Sequence, residues 1–75
     1  MAENVKLNLS HTLSPIGLLE CKNVLSKMTA GQVLEVWTQD PEMIDNIKTI
    51  VRLSTDQVIR TDKENGYLRI FIAKG

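Results

Sequence analysis

Ala30-Gly31-Gln32-Val33-Leu34-Glu35-Val36-Trp37-Thr38-Gln39-Asp40-Pro41 is the stretch on which the fold turns. Gly31 supplies a turn. Val33 to Trp37 is rich in residues that suit a pleated surface and reads as a strand. Asp40-Pro41 then opens a helix. The aspartate oxygen can accept a bond from a free backbone N–H, and the fixed φ of proline suits the first helical position. Met43, Ile44, Ile47, Ile50 and Val51, spaced by threes and fours, are expected on the buried side of that helix.

Upstream, Ser14-Pro15 repeats the cap-plus-proline signal. From Pro15 to about Met28 the apolar positions Leu18, Val24, Leu25 and Met28 fall on one side of a helix with about 3.6 residues per turn. Val5-Lys6-Leu7-Asn8-Leu9 alternates apolar and polar with the period of a half-buried strand. Ser10 to Leu13 reads as a loop. Downstream, a third strand is expected near Gln57 to Thr61. Asp62 and Lys63 read as a solvated turn that leads into Glu64-Asn65-Gly66, where Asn-Gly suits positive φ. Tyr67 to Ala73 completes an antiparallel hairpin.

The order β-α-β-α-β-β predicts an α/β two-layer sandwich: a four-stranded mixed sheet with two helices on one face. Alternation turns Leu34, Val36, Leu68, Ile70 and Ile72 toward the helices. It sends Val33, Glu35, Trp37, Tyr67, Arg69 and Phe71 to the opposite face. Trp37, Tyr67 and Phe71 there form a candidate protein interface, of the aromatic kind enriched in binding anchors, and a homodimer through it is allowed.

At 75 residues the chain is read as one domain, residues 1–75, with a thin stability margin. Hydrophobic residues at 43% and charged residues at 24% suit a globular protein. Nine basic and nine acidic residues cancel, which argues against direct nucleic-acid binding, because phosphate neutralisation needs a basic excess. Cys21 is the only cysteine, so no internal disulfide forms, and one lone thiol fits a reducing compartment. Met1-Ala2-Glu3-Asn4 lacks a basic region followed by an apolar run, so no secretion signal is expected; no apolar stretch is long enough for a membrane span. The cytoplasm is the expected location. The four scattered glycines make no phosphate loop. No cluster of Cys, His and carboxylates has metal-ligand spacing, and no cofactor is expected.

In this order, several segments resemble the TusA/SirA-like family of small sulfur carriers. Leu13-Ser14-Pro15-Ile16-Gly17 sits where that family shows Leu-x-Cys-Pro-x-Pro. Ala30 to Val36 resembles its Pro-Gly turn and Leu-Glu-Val strand, and Asp40-Pro41 and Ile47 match its second helix. Leu68-Arg69-Ile70-Phe71-Ile72-Ala73-Lys74-Gly75 is similar to its last strand. The resemblance implies a sandwich similar to the C-terminal domain of translation initiation factor three, and partners that donate or accept sulfur, such as a cysteine desulfurase. It also implies contact through the first helix start, residues Ser10 to Gly17. Ser14 replaces the family's cysteine, Gly17 its second proline, and Ser54-Thr55 a frequent Gly-His.

Those departures bear on the chemistry. The family holds sulfane sulfur as a cysteine persulfide at a helix start, where free N–H groups and the helix dipole favour the thiolate. A serine hydroxyl forms no persulfide and stays protonated at neutral pH, so Ser14 is expected to be a helix cap at an inactive catalytic position. Serine nucleophilic chemistry needs an adjacent base, and His11, the only histidine, is expected to be a solvated loop residue. Cys21 lies seven residues beyond Ser14, about 10 Å along a helix and within the apolar stripe, where a thiol is expected to be buried and inert. Whether the chain is an enzyme stays open at this point. The competing expectation is a binding or regulatory module that keeps the fold without the chemistry.

Overall fold

A computed structural model describes residues 4–75, with Ser14 described by its backbone alone. The elements follow the expected order: β1 (Val5–Asn8), α1 (Ser14–Lys27), β2 (Val33–Thr38), α2 (Pro41–Arg52), β3 (Gln57–Glu64) and β4 (Tyr67–Ala73). The sheet order is β1-β2-β4-β3. β1 runs parallel to β2, while β4 lies antiparallel to both β2 and β3. This is a four-stranded mixed sheet carrying two helices, an α/β sandwich.

Topology decides what meets at each end. Each helix follows one of the two parallel strands, so both helix starts lie at the same end of the sheet. β4 begins there too, because Thr38 pairs with Leu68. The hairpin turn at that end has Asn65 at φ 51° and Gly66 at φ 82°, the positive values that Asn-Gly tolerates best.

The core lies between sheet and helices. Leu34 and Val36 of β2 and Ile70 and Ile72 of β4 are fully enclosed, as are Met43 and Ile47 of α2. Cys21 and Leu25 bring α1 into the same cluster, and Leu9 closes it beyond β1. Leu18, Val24 and Leu68 pack at its margin. Val33, Glu35, Trp37, Tyr67, Arg69 and Phe71 are half-buried on the opposite face, as alternation requires. No helix among the described residues is long and apolar enough to cross a membrane.

Three local expectations are corrected. Ile50 is half-buried rather than buried, at the edge of the α2 stripe. β3 runs three residues beyond Thr61, because Asp62, Lys63 and Glu64 pair with Arg69, Leu68 and Tyr67. Cross-strand pairing overrides the weak strand preference of those polar residues. The cap of α1 falls on Leu13 instead of Ser14, since the Gly17 N–H donates to the Leu13 carbonyl at 2.8 Å and closes the first turn there. The capping bond expected from the Ser14 hydroxyl lies outside the described part of the structure. Asp40 does cap α2, accepting from the Glu42 N–H at 2.9 Å.

Candidate functional site

The loop leading into α1 is built from short-range bonds. Asn8 Oδ1 accepts from the Ser10 N–H at 3.0 Å and from the Ser10 hydroxyl at 2.6 Å, a local turn typical of asparagine. Buried Leu9 anchors the loop, and its N–H donates to the Trp37 carbonyl at 2.7 Å. The chain then turns at Leu9–Thr12 and enters the helix at Ser14. His11 is exposed on this turn.

The sequence segment Leu13 to Gly17 divides in space. Leu13, Pro15 and Ile16 face solvent, whereas Gly17 is buried. A Cβ at Gly17 would stand 2.7 Å from Met43 Cε and 2.9 Å from its Sδ, so the glycine lets α1 approach α2 at their shared end. Leu13 is 73% exposed, Ile16 52% and Leu19 60%. Together they make an apolar surface beside the helix start, and α1 turns polar on its exposed side only later, at Glu20, Lys22 and Asn23. Leu19 was not among the expected contact residues. Its signal was present: Leu19 and Ile16 lie off the stripe of Leu18, Val24, Leu25 and Met28, too far round the helix to share that burial.

Of the first three helical positions, Pro15 has no N–H, which leaves those of Ser14 and Ile16 at the positive end of the helix dipole. This setting stabilises a thiolate. The residue at the first helical position, Ser14, is an alcohol rather than a thiol. The other possible nucleophile is enclosed: Cys21 is 1% exposed. Burial, with a smaller contribution from the Asp56 charge, pushes its thiol up to about 11. Both effects disfavour the thiolate, the form in which a cysteine reacts.

The opposite sheet face holds a second constellation, centred on Arg69. Its guanidinium grips Asp62 through two bonds of 2.6 and 2.7 Å, lies 3.1 Å from Glu64 and 3.9 Å from Glu35, and sits 5.3 Å from the ring centres of both Trp37 and Phe71. Arg60 covers Phe71 at 4.3 Å. Trp37 and Tyr67 meet edge to face at 5.9 Å, and the Trp37 indole N–H donates to Glu35. The bond from Arg69 holds the Asp62 carboxyl below its ordinary range and raises Arg69 in turn. The three rings proposed as an interface are thus brought together, already packed against two arginines. No group of three His, Cys, Asp or Glu among the described residues is placed to hold a metal.

Two comparisons bear on kinship. The family model described as "Sulfurtransferase TusA" matches residues 5–74. A protein of Allochromatium vinosum described as "Sulfur carrier protein TusA" is 26% identical over 69 residues, covering 92% of this chain and 91% of its own length. The match spans every strand and helix described above, and it includes the helix start at which serine stands. The chain belongs to the TusA family.

Proposed function

We infer that this chain is a single-domain member of the sulfur-relay family that docks protein partners but carries no persulfide at the family's usual position. The observation that carries the reading is the pairing of oxygen at Ser14 with a sealed thiol at Cys21, 1% exposed and pushed up to about 11. Sulfane transfer needs a thiolate that a partner's sulfur can reach, and neither residue supplies one. The exposed apolar surface of Leu13, Ile16 and Leu19 supports retained docking at the helix start, in the reducing interior of a cell.

Incubation of the native chain with a cysteine desulfurase and cysteine, followed by intact-mass spectrometry under non-reducing conditions, tests the reading. The expected result is an unchanged mass. A gain of one sulfur atom on the native chain would overturn it. The variant Ser14→Cys is expected to load sulfur if the surrounding helix start is still competent.

A second reading is a binding module that works through the open sheet face. The array of Trp37, Tyr67 and Phe71 with Arg60 and Arg69 favours it, because aromatic and arginine side chains dominate interface anchors. Its simplest occupant is a second copy. Sedimentation equilibrium over a wide concentration range decides this: self-association lost in Trp37→Ala supports it, and a strict monomer counts against it.

A further inference from the structure

α2 leaves one side of the sandwich uncovered. β3 is an edge strand, and its helix-facing residues Thr61 and Lys63 are exposed. Between α2 and β3 lie two depressions in line, of about 380 Å³ toward the start of the helix and about 580 Å³ toward its end. The twelve residues of α2 give them a wall about 18 Å long. The floor is apolar: Ile44 and Leu68 in the first, Val51 and Val58 in the second.

The walls are charged unequally. Lys48 and Arg52 stand along the second depression and Lys63 along the first. Among the described residues none of the three makes an ion pair within 4 Å. Of the wall carboxylates, Asp62 is held by Arg69 and Asp56 by Lys74, leaving Asp45 alone unpaired. With the paired groups included, four cations (Lys48, Arg52, Lys63, Arg69) face three carboxylates (Asp45, Asp56, Asp62) along the lining, a local excess of one positive charge, and the three cations without an ion pair are the ones open to an occupant.

We propose that the α2–β3 groove is a docking site for an acidic, apolar peptide segment of a partner protein, with aliphatic side chains on the Ile44–Val51–Val58–Leu68 floor and carboxylates against Lys48, Arg52 and Lys63. Charge complementarity selects an anionic occupant. The floor selects a peptide over a nucleic acid, because single-stranded nucleic acid needs rings to stack on, and all three aromatic side chains lie on the other face of the sheet. The site is separate from the start of α1 and does not depend on sulfur chemistry, so it stands or falls independently of the relay reading.

Titration of the ¹⁵N-labelled chain with a synthetic peptide carrying two leucines three residues apart, flanked by glutamates, provides the test. Saturable amide shifts confined to α2 and β3 are expected, and they should weaken as salt rises. The double variant Lys48→Glu/Arg52→Glu, with both changes on the outer wall, should bind at least about tenfold more weakly while keeping a dispersed spectrum. The same peptide with serine for leucine should bind more weakly as well. Absence of saturable shifts, shifts mapping to the aromatic face, undiminished binding by the double variant, or tighter binding of a single-stranded oligonucleotide would each overturn the proposal.

Discussion

Gly17 of α1 lies against Met43 of α2 so closely that a methyl group at Gly17 would meet the Met43 thioether at 2.7 to 2.9 Å. Met43 is fully enclosed, and its thioether would have to shift to admit one. The residue standing where the family shows a proline is therefore fitted to a neighbour on the other helix.

Gly17→Val should destabilise the fold by about 1–3 kcal/mol, the usual cost of forcing atoms into a filled core. Met43→Ala should itself cost about 2–5 kcal/mol through the cavity it leaves. In the double variant the valine should cost less, because it fills that space. Denaturant unfolding of the four chains gives the coupling energy, expected at about 0.5–3 kcal/mol; strict additivity would mean that the two residues do not compete for one volume.

Ser14→Cys should create a reactive thiol at the start of α1. Its pKa should fall below the ordinary cysteine value, because position 14 stands at the positive end of α1. Stopped-flow reaction with a thiol-specific disulfide reagent at pH 7 should show a fast phase in this variant alone, while Cys21 reacts only as the protein opens. A fast phase in the native chain would show that Cys21 is accessible.

Stability should fall at high pH because of Cys21. Its folded-state value of about 11 exceeds its ordinary 9.0, so between those values the unfolded chain releases the proton while the folded chain keeps it. The contribution is fully present below pH 9 and is lost as pH rises through 11. Two units correspond to about 2–3 kcal/mol. Guanidinium unfolding from pH 8 to 11 should show a steeper loss for the native chain than for Cys21→Ala, and parallel curves would contradict the burial of the thiol.

Arg69→Ala should release Asp62 to titrate near its ordinary value and leave Glu35, Asp62 and Glu64 facing one another. The sign at acid pH follows. Asp62 is held low in the folded state, so it stabilises above about pH 4 and loses that effect as pH falls. Carboxyl titration followed by NMR should place Asp62 higher in the variant, and the thermal midpoint at pH 7 should drop. An unmoved Asp62 would mean that Arg69 does not hold it.

Asp40→Ala removes the oxygen that accepts from the Glu42 N–H. The expected loss is about 1 kcal/mol, recovered in part by Asp40→Ser. Equal stability of all three chains in urea would show that the cap contributes nothing.

Most of the architecture was legible from local pattern. The alternation in Val33–Trp37 and Tyr67–Ala73 assigned each side chain to the correct face, and Asp40-Pro41 and Asn65-Gly66 marked a helix start and a turn where they occur. Cys21 was legible as buried because its angle on the helix places it among leucines. The extent of β3 was not legible. Asp62, Lys63 and Glu64 have no strand preference of their own and extend the strand because β4 offers them partners. The cap at Leu13 was not legible for a related reason: a bond from Gly17, four residues on, decides where the first turn closes.

By itself the sequence determined the order of elements, the two faces of the sheet and the absence of sulfur at the first helix start, because periodicity and atom identity are properties of neighbouring residues. Only the tertiary structure decided that Gly17 and Met43 share one volume, that Arg69 gathers three carboxylates and two rings, and that a cationic groove lies along α2. Those relationships join residues far apart in the chain. They exist only once strand register and helix packing bring the residues within a few ångströms of one another.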